Sequence, residues 1–373
     1  MSTINEISSL VRGMSGHPRI VFDRLFEIRE YTGRLVLPEE MRGWVEQKFG
    51  DRAAVESQRI VKVTNRVTLE GTLFNSLRGR RPMSRGVNKL LAELVEEHRL
   101  GCTFCRAEEK TPADIFGRLH GPGVVTAANV AKYDRWHGLI IPAEHDPLHF
   151  DAGRVADYFD LAGRWIRRVL QEAAREGDAG LHYPFLLWNC LWPAGSSVVH
   201  GHLQVTVTEG GHYPRIEQLR RAAAAYRERY AANYFEDLFL VHRSLGLVSE
   251  EKEARIFASL TPVKEKEIWI LLPGAAGAAE LDNLALLGRA VGRVLVYLRE
   301  TGTTSFNVAV YLPPPGPAPE SWAGFPLLAR VVDRGDALGR TADFGGMELY
   351  AASVVATDPF LLAGQMREHL GAE

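Results

Sequence analysis

The densest chemistry in the chain lies between Asn189 and Val207, in the run NCLWPAGSSVVHGHLQVTV. Read as a strand over residues 198–207, this run puts His200, His202, Gln204 and Thr206 on one face, because side chains alternate along a strand. Val199, Gly201, Leu203, Val205 and Val207 take the other face. Two imidazoles and a carboxamide in a row are costly to bury without partners, which points to a site. A strand with two partly exposed histidines is the plain alternative. A neutral imidazole is a competent phosphorus nucleophile, since its pKa lies near the working pH and its phosphoramidate is labile. The turn Gly195-Ser196-Ser197 can offer backbone N–H groups and hydroxyls to phosphate oxygens.

Two further groups carry chemistry. Cys102 and Cys105 stand two residues apart, and Cys190 is alone. Three cysteines argue against a disulfide scaffold, and the close pair is open to three readings: a tetrahedral metal site, a redox pair, or chance. Arg78-Gly79-Arg80-Arg81-Pro82 is a compact cationic turn, suited to bidentate phosphate recognition or else a solvated loop.

The elements that must position these groups follow from periodicity. Residues 1–65 mix charge and apolar positions and read as a mostly helical extension. A strand is expected over residues 66–77 and a helix over 88–100. Then come strands at 124–128 and 137–141, a long amphipathic helix from 155 to about 176, and strands at 183–189 and 198–207. A comparable order returns at 255–260, 267–272, a helix from 281 to about 299, 306–312 and 325–332. Two copies of one α+β unit, offset by about 130 residues, are therefore expected, joined by a helix near 216–232.

The chain of 373 residues is long enough for two domains, and its 46% apolar and 24% charged content is that of an ordinary globular protein. A net charge of −2 excludes an overall field for gripping nucleic acid, so a phosphate ligand needs a local cluster of cations. Residues 1–20 lack a signal-peptide core, and no stretch approaches 18 uninterrupted apolar residues; a cytoplasmic protein is expected.

The set Asn189, Gly195-Ser196-Ser197 and His200-x-His202-x-Gln204 resembles the active-site signature of the galactose-1-phosphate uridylyltransferase branch of the histidine triad (HIT) superfamily. The resemblance covers about residues 66–370 and is strongest in the first repeat. It implies a duplicated HIT-like α+β fold with antiparallel sheets and packed helices. The expected division is an extension at 1–65, a first domain at 66–225 with the active site, and a degenerate second domain at 226–373.

By the same resemblance His202 is the nucleophile, Gln204 holds the nucleotidyl group, Ser197 contacts the distal phosphate and Asn189 stands beside the phosphates. Zinc is implied at Cys102, Cys105, His145 and His200, with His145 matching the histidine after the strand and proline of HGLIIPAEH. Arg78 and Arg81 match the substrate-phosphate positions of the R-x-x-R-P turn, Asn129 the ribose position, and Glu348 in Gly346-Met347-Glu348 the hexose position. The implied activity moves a nucleoside monophosphate between an NDP-sugar and a sugar 1-phosphate through a nucleotidyl-histidine, in a homodimer. A phosphorylase using inorganic phosphate and a non-catalytic nucleotide-binding protein are the alternatives.

Two positions depart from the pattern. Leu328-Ala329-Arg330 stands where the second repeat of the family has a metal-binding H-x-H, so no second metal is expected. Val354 stands where the family has a glutamine that reaches the hexose of the neighbouring subunit's site.

Overall fold

The computed structural model describes residues 2–80, 90–178, 180, 182–250, 252, 254–272, 278–339, 347 and 351–371. Arg81 and Glu348 lie outside the described residues. In chain order the strands are β1 (Phe26–Arg34), β2 (Ser57–Asn65), β3 (Gly71–Phe74), β4 (His120–Gly121), β5 (Val124–Ala128), β6 (Trp136–Pro142) and β7 (His182–Cys190). They continue with β8 (Leu203–Glu209), β9 (Val248–Glu250), β10 (Arg255–Ala258), β11 (Ile268–Leu272), β12 (Phe306–Tyr311), β13 (Leu327–Asp333) and β14 (Ala352–Val355). They form a ten-stranded sheet, β4-β5-β6-β8-β7-β12-β13-β11-β10-β9, and a four-stranded one, β1-β2-β3-β14.

The large sheet contains one strand order twice, read outward from its centre, with β7 and β12 pairing antiparallel at the join. β8 and β13 begin 124 positions apart, as do β7 and β12, and that shared offset sets the correspondence residue by residue. Gln204 lies between Leu187 and Leu139, as Leu328 lies between Tyr311 and Leu271. Two residues earlier, Pro326 is the counterpart of His202. The loop before it is filled by Trp322 and Phe325, 6% and 4% exposed.

Two long helices, Ala152–Arg175 and Leu284–Glu300, pack on one face of this sheet. Their apolar stripes recur every three or four residues, as in Val155, Phe159, Ala162, Ile166 and Val169, all fully buried. Close approach needs glycine: a Cβ on Gly288 would stand 2.7 Å from that of Phe159, and one on Gly138 of β6 would stand 2.6 Å from the Trp165 ring. Alternation from Gly138 sends Ile140, Leu186, Leu203, Val205 and Val308 to the helices, each worth roughly 1.5–3 kcal/mol of burial. His137, Leu139, Asn189, Gln204 and Asn307 are left for the other face.

The structure departs from three expectations. The region 1–65 is helical, and it also contributes β1 and β2 to the small sheet. Their mixed, half-exposed faces hide the alternation that marks a strand. The strand expected over 66–77 is confined to Gly71–Phe74, because Asn65 Oδ1 takes the backbone N–H groups of Val67 and Thr68 in a turn. The strand expected from 198 begins at Leu203. Its ladder with β6 ends near Pro142, whose carbonyl is taken by the His200 ring at 2.8 Å.

By the correspondence of the two halves Gly324 and Pro326, and not Leu328-Ala329-Arg330, stand in the places of His200 and His202; Arg330, further along β13, supplies a buried cation. Its guanidinium donates to Glu267 Oε1 at 2.6 Å and Glu70 Oε1 at 3.0 Å and lies over the Trp269 ring. Glu70 precedes β3, so this buried pair ties the small sheet to the large one. Among the described residues, no helix is long and apolar enough to cross a membrane.

Candidate active site

Four side chains converge at the end of β6. Cys102 and Cys105 come from the turn before a short helix, His145 from the loop after Pro142, and His200 from the approach to β8. Cys105 Sγ lies 3.2 Å from His145 Nδ1 and 3.5 Å from His200 Nδ1; Cys102 Sγ lies 3.6 Å from His200 Nδ1; the two Nδ1 atoms are 3.3 Å apart. Ligands on a tetrahedral ion with sulfur at about 2.3 Å and nitrogen at about 2.0 Å stand about 3.3–3.8 Å from one another. These four atoms can hold a metal ion.

The outer nitrogens support the same reading. His145 Nε2 donates to the Val95 carbonyl at 2.9 Å and His200 Nε2 to the Pro142 carbonyl at 2.8 Å. A carbonyl only accepts, so both Nδ1 atoms carry lone pairs toward the centre of the group. Both histidines are fully buried.

His202 adjoins this group through Phe104, the aromatic residue of the cysteine turn, whose ring meets His202 at 5.1 Å and His200 at 5.9 Å. His202 Nδ1 donates to the His200 carbonyl at 3.0 Å. The proton is therefore on Nδ1 and the lone pair on Nε2. Burial pushes the His202 imidazole below its ordinary value, only partly offset by that hydrogen bond.

Gln204 follows on β8, and its Oε1 lies 3.1 Å from His137 Nε2. Asn129 Nδ2 reaches the same nitrogen at 2.9 Å, while Asn129 Oδ1 accepts from the Ala131 backbone. Tyr133 lies against the His137 ring, 4.2 Å between centroids. His137 and Phe104 carried no sequence signal of a role. His137 follows a tryptophan on a strand that is buried throughout, and only register with β8 brings it beside Gln204.

Asn189 lies on β7, one strand from Gln204, and its Oδ1 accepts from Asn307 at 2.7 Å. The turn from Leu191 to Ser197 follows, with Ser197 exposed and Ser196 Oγ bonded to the Val198 carbonyl. Arg78 belongs to the small sheet, on the turn after β3. Val354 of β14 lines a cavity of about 310 Å³ with Arg215, Lys264, Arg334 and Met347. A second acidic group, Asp178, His182 and Glu209, stands at the opposite end of β7 and β8, with Arg135 bonded to both carboxylates at 2.9 Å.

No known family's sequence profile matches the chain. An uncharacterized protein of Archaeoglobus fulgidus is 21% identical over 236 residues, 59% of this chain and 67% of that protein. Among solved structures, an ADP-glucose phosphorylase from Arabidopsis thaliana with bound ADP-glucose superposes with a TM-score of 0.61 at 16% identity, over 81% of this chain and 96% of that one. A GalT-like protein from Arabidopsis thaliana gives 0.55 at 17%, over 72% and 91%. A uridylyltransferase gives 0.55 at 14%, over 70% and 89%. The chain has the duplicated HIT-like fold of these proteins.

Proposed function

We propose that the chain is a nucleotidyltransferase that moves a nucleoside monophosphate from an NDP-sugar to a sugar 1-phosphate through a covalent nucleotidyl-histidine. The observation that carries this reading is the His202 ring, whose Nδ1–H is committed to the His200 carbonyl and whose Nε2 lone pair is thereby directed outward. Nε2 attacks the α-phosphorus. The N–P bond forms as the P–O bond to the β-phosphate breaks, and the electron pair leaves with the sugar 1-phosphate. A phosphate oxygen of the acceptor then attacks the same phosphorus, and Nε2 recovers its lone pair.

Arg78, Arg81 and Ser197 take the charge of the leaving phosphate, Gln204 holds the transferred group and Asn189 stands beside the phosphates. Asn129 serves the ribose and Glu348 the sugar. Zinc is the ion we assign to Cys102, Cys105, His145 and His200, supported by the two-thiolate, two-imidazole donor set and its spacing. With four protein ligands the ion is structural, and it keeps His200 in place. A site built on thiolates suits the reducing cytoplasm. The domain division we propose is 1–65, 66–225 and 226–373, with β14 crossing to the small sheet. A homodimer is the assembly we propose.

One observation favours a variant of this reading. Val354 offers no hydrogen bond to a hexose, and the structural likeness to an ADP-glucose phosphorylase fits inorganic phosphate as acceptor. The test is intact mass after mixing with UDP-glucose or ADP-glucose. One added nucleoside monophosphate, absent in His202→Ala, is expected, and a chain that gains no mass with any NDP-sugar is not this enzyme. Release of the adduct by sugar 1-phosphate or by inorganic phosphate distinguishes the two acceptors.

A further inference from the structure

Asn307 belongs to β12, in the half of the chain with Pro326 in place of the nucleophile, yet its side chain reaches the first half's site. Its Nδ2 donates to Asn189 Oδ1 at 2.7 Å and to the Ala194 carbonyl at 2.9 Å. Asn307 and Asn189 stand directly opposite in the β12–β7 ladder, and both are half-buried.

The orientation of both amides follows from one atom. The Ala194 carbonyl can only accept, so the end of Asn307 that faces it is Nδ2. The same Nδ2 faces Asn189, whose near atom is therefore Oδ1 and whose NH₂ group points away from β12. Ala194 lies in the turn between Leu191 and Gly195, both at positive φ (63° and 89°), which leads to Ser196 and Ser197. A single side chain thus sets the donor end of Asn189 and pins the turn that follows it. Joining the two halves does not require this contact. The six-residue β7–β12 ladder and the bond from Ser305 Oγ to the Cys190 carbonyl at 2.8 Å already do so.

We infer that Asn307 is a positioning residue for nucleotidyl transfer: it holds Asn189 with its NH₂ group toward the phosphates and fixes the Ala194 turn beside them. This rests on the transfer reaction proposed for His202. The decisive variant is Asn307→Asp, which keeps the shape and puts a carboxylate oxygen where the donor stood. Asn189 must then turn its NH₂ group toward Asp and away from the phosphates.

The experiment measures the rate of adduct formation at saturating NDP-sugar, the KM, the zinc content and the thermal midpoint for wild type, Asn307→Asp, Asn189→Ala and the double variant. Expected are a loss of about tenfold or more in the Asn307→Asp rate, unchanged zinc content, and a further loss well short of that when Asn307→Asp is added to Asn189→Ala, the remainder coming from the Ala194 turn. An unchanged Asn307→Asp rate overturns the inference, and so does a full additive loss in the double variant. Should Asn307→Asp fail to fold, the same cycle with Asn307→Ala reads the same coupling. A wild-type chain that forms no adduct overturns the transfer reading, and this inference with it, before any variant is compared.

Discussion

The carbonyl of His200 accepts the Nδ1–H of His202 at 3.0 Å, while the ring of His200 sits in the Cys₂His₂ group. One residue therefore serves the site twice, through its side chain and its backbone. Loss of the His202 ring can nevertheless be separated from binding at the group, because His202 contributes none of its four atoms.

That separation gives the first expected outcome. His202→Ala abolishes the nucleotide adduct and lowers turnover about 10⁴-fold or more, as loss of a nucleophile does. It leaves the metal content and unfolding midpoint close to wild type. Metal analysis beside intact mass checks it; loss of metal together with the adduct would contradict the separation.

Cys105→Ser works in the opposite direction. A structural zinc site contributes apparent binding energies on the order of 10 kcal/mol in small domains, so a weakened site destabilises the fold by several kcal/mol. Zinc falls well below one equivalent, the thermal midpoint drops, and adduct formation slows because His200 is no longer held. A full equivalent of zinc in this variant would remove Cys105 from the ligand set.

His137 is expected to act through Gln204. His137→Phe keeps the ring against Tyr133 but removes the nitrogen 3.1 Å from Gln204 Oε1. The same nitrogen faces Asn129 Nδ2 at 2.9 Å, and removing a partner that leaves such half-buried groups unpaired costs about 1–3 kcal/mol. The second step should slow by about tenfold to a hundredfold, seen as slower release of the adduct to acceptor. An unchanged release rate would make His137 a packing residue.

Arg330→Met leaves the carboxylate of Glu267 buried without its cation, while Glu70 keeps Arg215 at 2.6 Å. Breaking a buried pair in this way costs about 3–5 kcal/mol. Denaturant unfolding measures it, and Arg330→Met combined with Glu267→Gln should recover part of the loss.

His242 sets part of the acid stability. Burial pushes its imidazole down to about 4, partly offset by the bond from Nδ1 to the Leu238 carbonyl, and its Nε2 accepts from Leu260 N–H at 3.1 Å. The folded value lies below the unfolded value of about 6.5, so the unfolded chain takes up the proton first. The contribution is complete above about pH 6.5 and falls away toward pH 4, by up to roughly 3 kcal/mol. His242→Gln, which keeps an acceptor for Leu260, should flatten the pH dependence of the denaturant midpoint between those limits. An equally steep curve would assign the acid loss elsewhere.

Sequence alone carried the type and order of most elements, because the long helices and buried strands have clean periodicity. The resemblance, and not spacing alone, named Cys102, Cys105, His145 and His200, which the fold brings together as a group that could hold a metal ion. Sequence did not carry what depends on register between strands. His137 beside Gln204 and Asn307 opposite Asn189 are contacts between residues up to 118 positions apart, and Pro326 in the place that His202 takes in the first half follows only from the correspondence of the strands. The start of β8 differs from the expected one for a related reason. Alternation continues through Val198–Gly201, but His200 spends its ring on the Pro142 carbonyl and the ladder stops short.

The filled loop before Pro326 has a consequence for how this chain tolerates change. A histidine at position 326 would follow Trp322 and Phe325 and would lack the cysteines and histidines grouped beside His202, so restoring one imidazole would not restore a second reaction centre. Variation in that loop is governed by volume, whereas variation between Asn189 and Gln204 is governed by the atoms each side chain presents. The two halves share one backbone plan and live under different rules of substitution, so a polar exchange of equal volume that leaves packing intact in one would be decisive in the other.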